Sequence, residues 1–111
     1  MKYHVSLAEA ISQLKSDINH PFTVLLQHGT LQVEYFAPRE VDTQTPHEQD
    51  ELYIIASGHS DFFRDGELLK CQKGDILFVP AGMEHRFKNF STDFATWVIF
   101  YGKKGGEASG I

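Results

Sequence analysis

The first twenty residues carry their hydrophobic positions at the spacing of an α-helix. Apolar side chains recur at Leu7, Ala10, Ile11 and Leu14. Ser6 followed by Glu9 has the spacing of a capping box, in which the two residues satisfy free amides at a helix start. Pro21 disfavours helix in the residue before it, so we expect the helix to end near Asp17.

After Pro21 the pattern changes to short runs of β-branched and aromatic residues separated by turn residues. The predicted strands cover residues 22–27, 30–36, 52–57, 59–64, 67–71, 76–79, 84–89 and 94–101. His28-Gly29 and Asp65-Gly66 are predicted as hairpin turns, the second being a typical two-residue turn. Many short strands at such spacing indicate an all-β sandwich or small barrel, whose interior can hold a ligand.

The length of 111 residues corresponds to one domain with a modest core. We expect residues 1–20 to form an N-terminal helical extension packed on the barrel, and residues 21–102 to form the barrel itself. Residues 103–111 are small and polar, and are predicted to be a flexible C-terminal tail.

The net charge and the cysteine content limit which binding partners and which cellular compartment we expect. The chain has 10 Lys and Arg against 15 Asp and Glu, a net charge of -5, so we expect neither nucleic acid nor an anionic membrane as a partner. Cys71 is the single cysteine, so no intramolecular disulfide can form, which indicates a reducing compartment. We expect Cys71 to be a half-buried strand residue. The N-terminus lacks the apolar core of a signal peptide, so we expect a cytoplasmic location.

Two segments contain side chains of the types that bind metal ions. In the first, His47, Gln49 and Glu51 are two residues apart, which places them on one face if the strand is regular there. In the second, a Pro/Gly corner at residues 80–82 precedes His85. His47, Glu51 and His85 together supply two imidazoles and a carboxylate, which suit divalent Fe, Mn, Zn, Ni or Co without choosing among them. Each residue alone would more often be an ordinary surface or packing residue.

The same segments resemble the two signature motifs of the cupin superfamily. Every position of the second motif is matched, by Gly74, Pro80, Gly82, His85 and Asn89. In the first motif, the second His, the Glu and the Gly are matched by His47, Glu51 and Gly58. The resemblance covers roughly residues 30 to 101. It implies an all-β fold, a double-stranded β-helix (jelly-roll) cupin barrel with a short N-terminal α-helix.

The resemblance also implies a four-ligand metal site, of which this chain supplies three members. Thr45 stands where the family has the first histidine, and a threonine hydroxyl is a poor ligand for a divalent transition metal. Gln44 or Gln49 could lend an amide oxygen, or a water could take the position. By similarity to the family we further expect a homodimer.

Aromatic residues are expected to line the pocket or pack beside it. The candidates are Tyr53, Phe78, Phe87, Trp97 and Tyr101. The tyrosine hydroxyls are candidate donors to a bound ligand. The leading hypothesis is a small cupin with one divalent metal, a metalloenzyme of the dioxygenase, isomerase or lyase type acting on a small polar molecule. The alternatives are a non-catalytic module that binds or senses a small ligand, with a structural or absent metal, and a metal-free isomerase with a histidine base.

Overall fold

The computed structural model describes residues 2 to 108, in which one helix precedes eight strands. The helix is α1 (Leu7–Lys15). The strands are β1 (Phe22–His28), β2 (Leu31–Phe36), β3 (Asp50–Ser57), β4 (His59–Arg64), β5 (Glu67–Gln72), β6 (Ile76–Val79), β7 (His85–Lys88) and β8 (Ala95–Tyr101).

The strands form two antiparallel sheets that enclose an aromatic core. The larger sheet has the order β1-β2-β8-β3-β6 and the smaller one the order β5-β4-β7. Tyr53 of the larger sheet packs on Phe62 and Phe87 of the smaller one, with ring centroids 5.9 and 4.9 Å apart. The predicted all-β fold with a short N-terminal helix is confirmed, because two facing sheets with these crossovers are the layout of a jelly-roll barrel.

Helix α1 lies outside the barrel, against the larger sheet. The Ser6 hydroxyl accepts a hydrogen bond of 3.0 Å from the Glu9 amide, as the capping pattern predicts. Ala10 and Leu14 are buried on the outer face of the sheet. Their neighbours in this second cluster are Leu25, Tyr35 and Ala95. Among residues 2 to 108, no helix is long and apolar enough to cross a membrane.

The predicted turns agree with the structure in one case and shift in the other. Asp65 and Gly66 both have positive φ, 46° and 85°, as a two-residue hairpin turn of type I′ requires. The β1–β2 turn lies at Gly29 and Thr30, not at His28-Gly29, because His28 still pairs in the ladder. The displacement is one residue, within the usual uncertainty of a boundary read from sequence.

The segment after β8 returns to the start of β3. The amide of Glu107 donates to Asp50 Oδ2 over 2.8 Å. The amide of Gly105 donates to the Glu48 carbonyl over 2.8 Å. Gly105 and Glu107 of the expected tail are therefore hydrogen-bonded to the start of β3 and the residues before it, and residues 109–111 lie outside the described part of the chain.

Candidate metal centre

Strand β3 carries one of the predicted ligands into the barrel. Glu51, Tyr53 and Ile55 alternate with outward-facing residues, as the two-residue period of a strand requires, and they are 1%, 0% and 2% exposed. A carboxylate that is almost fully removed from water is rarely found without a partner. Glu51 is therefore the residue of this strand that most needs a functional explanation.

The Pro/Gly corner ties the two predicted metal-binding segments together. Gly82 has a φ of +79°, which a side chain would strain, and its amide donates to the His47 carbonyl over 2.8 Å. The neighbouring amide of Ala81 donates to Asp50 Oδ1 over 2.9 Å. Strand β7 begins three residues after Gly82, with His85 only 2% exposed. The corner thus holds both histidine segments at one end of the barrel.

The structure brings His47, Glu51 and His85 together. Their ligand atoms all lie within 4.8 Å of one another. Glu51 Oε1 and His85 Nε2 are 2.7 Å apart, yet neither these atoms nor Glu51 Oε2 has a hydrogen-bond partner of acceptable geometry. Short distances without alignment are expected where lone pairs are directed at a common point instead of at each other.

The ring of His85 has a fixed orientation. Its Nδ1 lies 2.8 Å from the carbonyl oxygen of Met83. Because a carbonyl only accepts, Nδ1 carries the proton, and in the neutral ring Nε2 keeps a free lone pair on the side of the cluster. A histidine that binds a metal through one nitrogen commonly donates from the other to a carbonyl in this way.

The pKa values of the two histidines are shifted in opposite directions. Burial lowers the pKa of His47, and the nearby Glu51 charge offsets this only in part. For His85 burial also lowers the pKa, but the contacts with Glu51 and with the Met83 carbonyl outweigh it, so that its pKa is raised. Burial, helped by the Glu51 charge, holds the pKa of the Tyr53 phenol well above its usual value. The phenol therefore stays neutral and can donate.

Of the three proposed substitutes for a fourth ligand, Gln44 lies beside the cluster. Its Oε1 is 3.5 Å from His47 Nε2 and accepts a 3.0 Å hydrogen bond from the Tyr53 hydroxyl. The Gln49 amide instead donates to the Thr30 and Gly102 carbonyls, at 2.9 and 2.8 Å.

Thr45 is exposed on the wall of a neighbouring cavity. The amide oxygen of the preceding residue, Gln44, is thus the side-chain oxygen placed beside His47.

Buried Asp42, which the sequence reasoning missed, holds Gln44 in place. Its carboxylate accepts from the Gln44 backbone and side-chain amides, at 3.0 and 2.6 Å, and from the Phe87 amide at 2.8 Å. Asp42 is 4% exposed although it lies in a loop. An Asp two residues before a Gln in a polar loop is a typical Asx turn, the one signal that could have identified it.

None of the five aromatic residues expected to line the pocket or pack beside it borders the two cavities next to the cluster. Tyr53 and Phe87 are inside the barrel, where Tyr53 lies 6.0 Å from the His85 ring. Phe78 is 44% exposed on the outer side of β6. Trp97 packs in the outer cluster under α1, and Tyr101 has the same parity along β8. Phe78, Trp97 and Tyr101 thus lie on the outward parity of β6 and β8, which the sequence alone does not show.

Two adjoining cavities open beside the cluster, and both are lined by Glu34, His47 and Phe100. We name the first, of about 340 Å³, the apolar cavity, and the second, of about 550 Å³, the polar cleft. The Phe100 ring packs edge-on against His47 with centroids 4.7 Å apart. Neither Glu34 nor Phe100 was identified from the sequence, because each lies on a strand without a ligand motif.

A divalent cation fits this donor set. Three buried polar atoms without hydrogen-bond partners converge from Glu51 and His85, and the His47 ring completes a cluster of two imidazoles and one carboxylate. Such a set of nitrogen and oxygen donors suits Fe, Mn, Zn, Ni or Co, and leaves positions open for a substrate. The charge of the ion would also compensate the buried carboxylate.

Known proteins share the sequence pattern of this barrel. The profile of the cupin domain family matches residues 32 to 101. Uncharacterized protein SCO3923 of Streptomyces coelicolor is 37% identical over 59 residues, which are 53% of this chain and 56% of that protein. The chain thus spans little more than half the length of this curated relative.

Solved structures share the fold. A protein of unknown function from Rhizobium leguminosarum superposes with a TM-score of 0.67 at 17% identity, covering 93% of this chain and 99% of that one. The DMSP lyase DddQ of Ruegeria pomeroyi superposes with a TM-score of 0.64 at 22% identity, covering 75% of this chain and 47% of that one. Such identities carry the fold alone. Because the family profile covers well over half of the 111 residues, this chain belongs to the cupin family.

Proposed function

We propose that this chain is a metal-dependent enzyme that binds one divalent ion through His47, Glu51 and His85 and acts on a small molecule in the adjoining cavity. The observation that carries the proposal is the set of buried donor atoms of Glu51 and His85 that lack hydrogen-bond partners. Unpartnered buried polar atoms cost stability, so a protein retains them where a ligand satisfies them.

The chain's own groups would prepare the site for that ion. The Met83 carbonyl fixes the His85 ring, and the Tyr53 hydroxyl orients the Gln44 amide beside His47. Phe100 packs edge-on against the His47 ring and gives it an apolar neighbour. A bound divalent ion would supply Lewis-acid chemistry, or dioxygen chemistry if it is redox-active.

The reaction types that this site supports are those of a dioxygenase, an isomerase or a lyase. The structural neighbour DddQ is a DMSP lyase, so a barrel of this fold can perform lyase chemistry. A shared fold does not imply a shared substrate. The predicted homodimer stays a prediction, as does the cytoplasmic location.

Metal analysis of three matched proteins tests the proposal. We expect the unmodified chain to hold about one divalent ion per chain after purification without chelator, or after reloading with Fe, Mn, Zn or Ni. His85→Ala should weaken the metal affinity by more than about 100-fold, the upper limit for losing only an outer partner of a ligand. His28→Ala is the control, because His28 is exposed at the end of β1.

The proposal fails if the unmodified chain takes up no stoichiometric metal, or if both histidine variants bind metal equally well. If the chain binds metal, the metal-loaded protein is assayed for turnover of dicarbonyls, phenolics and sugars, and oxygen uptake is monitored. Metal binding without turnover of any of them would favour the alternative of a ligand-binding module.

A further inference from the structure

Glu34 is the carboxylate of the apolar cavity that the proposed metal site does not use. It lies on β2, whose alternate residues Gln32, Glu34 and Phe36 share one face. It also borders the polar cleft, so it stands where the two cavities meet at His47. The side chain is partly buried, with burial raising its pKa and the Gln32 hydrogen bond lowering it.

A chain of amides fixes how the Glu34 carboxylate is presented. Gln32 Nε2 donates to Glu34 Oε2 over 2.6 Å. The Gln32 oxygen in turn accepts from Gln27 Nε2 over 2.7 Å, across the β1–β2 ladder. Because both ends of the Gln32 amide are used, its orientation is set. Among residues 2 to 108, no hydrogen bond reaches Glu34 Oε1, so this oxygen is available to a ligand.

The other carboxylate on the wall of the apolar cavity is already used by the protein. Asp42 accepts three hydrogen bonds from Gln44 and Phe87 and is 4% exposed. Its role is to hold the loop. Glu34 is thus the acidic group of this wall that has an acceptor left over, and a ligand that meets it must bring a donor.

The charge balance of the cavity disfavours anions. None of the described residues that line it is a lysine or an arginine. Glu34 and Asp42 border the cavity, and Glu51 lies behind His47, which gives three carboxylates in all. A divalent ion at the metal centre would leave one negative charge uncompensated, so an added anion would be repelled in a space of low dielectric.

The remaining wall is apolar. Phe36, Val98 and Phe100 face the cavity from β2 and β8, and Phe22 borders it from β1. Such a surface accepts an apolar body, and aromatic faces also accept cations. Lys103 and Lys104 border the polar cleft and do not line the apolar cavity.

We propose that Glu34 determines the substrate class: the apolar cavity binds a small molecule with an apolar body and a neutral or cationic hydrogen-bond donor, such as an alcohol or an amine, and rejects carboxylates and phosphates. The donor meets Glu34 Oε1, which no protein group uses. The proposal rests on the proposed function in that the ligand would be held next to the metal centre.

Three probes of the same size test this selection: benzylamine as its ammonium ion, benzyl alcohol and benzoate. Their dissociation constants are measured by calorimetry on the full chain, metal-free and zinc-loaded. In the metal-free protein we expect the ammonium ion to bind at least tenfold more tightly than benzoate, with the alcohol between them. Glu34→Gln removes the charge with little change in shape and should reduce that ratio below threefold.

Glu48→Gln is the matched control, because Glu48 is an exposed carboxylate of the polar cleft whose side chain is 75% accessible. It should keep the tenfold ratio. The proposal is overturned if benzoate binds as tightly as the ammonium ion, if none of the probes binds at millimolar concentration, or if Glu34→Gln keeps the ratio. Metal content of the same samples tests the proposed function separately. A chain that binds no metal but keeps its preference for the ammonium ion refutes the metal role and supports the role of Glu34.

Discussion

The glycine at the end of β3 should tolerate a methyl group far less well than the glycine of the β4–β5 hairpin. Gly58 has a φ of +72°, and a Cβ there would lie 2.4 Å from Ser91 Oγ, 2.7 Å from Asp93 Oδ1 and 2.8 Å from Phe94 Cα. The chain crosses here from the larger sheet to the smaller one. Gly66 has a similar φ of +85°, with nothing within 4 Å of the added Cβ.

The size of the effect follows from what can move. The left-handed backbone costs an alanine about 1 to 2 kcal/mol at either position. At Gly58 the Ser91 hydroxyl cannot swing away freely, because it accepts from the His59 amide at 3.0 Å and donates to Asp93 at 2.7 Å. The Phe94 Cα belongs to the backbone and cannot leave without moving the chain. Overlap of this kind adds about 1 to 3 kcal/mol.

Urea unfolding followed by the fluorescence of Trp97 measures the difference. We expect Gly66→Ala to lower the free energy of unfolding by about 1 to 2 kcal/mol, and Gly58→Ala by about 2 to 5 kcal/mol. Because both variants carry the same backbone cost, the difference between their unfolding free energies measures the steric overlap at Gly58. If the two agree within about 0.5 kcal/mol, the Gly58 backbone does not pass as close to Phe94 as described, and the reasoning is wrong.

Two further predictions address groups in and away from the site. Burial raises the pKa of Cys71 to about 11 from a usual 9.0, so iodoacetamide at pH 8 should alkylate the native thiol about 100-fold more slowly than the thiol of the urea-unfolded chain. Because the pKa is higher in the folded state, the stability that the neutral thiol contributes below pH 9 should be lost as the pH rises toward 11. A thiol that reacts equally fast in both states contradicts this reasoning. Gln44→Ala should weaken metal binding by about tenfold in a chelator competition. Gln49→Ala should leave metal binding unchanged, because the Gln49 amide donates to backbone carbonyls instead. Equal losses in the two variants would show that the Gln44 amide has no special role.

The fold could be predicted from local signals because each of them has a local cause. Ser6 caps α1 since a serine oxygen reaches the amide three residues on, whatever the rest of the chain does. Asp65 and Gly66 turn the chain because they tolerate positive φ. The start of β3 at Asp50, two residues before the predicted start at residue 52, could not be read this way, because that residue enters the ladder through a distant partner on β8.

The clustering of the three candidate ligands depends on short-range sequence, whereas the composition of the pocket wall does not. His47, Glu51 and His85 are specified by spacing within two short segments and by the Pro/Gly corner of the second, so the sequence predicts that these three side chains cluster. The wall depends on which face of each strand looks inward. On β8 the side that carries Trp97 packs against the outer cluster that includes residues of α1, and the other parity faces the barrel.

The same dependence explains why the group that we propose to select the ligand has no motif of its own. Glu34 faces the cavity because β2 pairs with β8 in a register that sets Glu34 opposite Val98, and because Gln27 on β1 orients the intervening amide of Gln32. A shift of either ladder by one residue would turn Glu34 to the outer face and place an apolar neighbour in the cavity. Short-range sequence can therefore specify the candidate metal centre, while long-range register sets the residue that we propose to select the ligand. Chains with the same ligand spacing can then differ in the molecules that they accept.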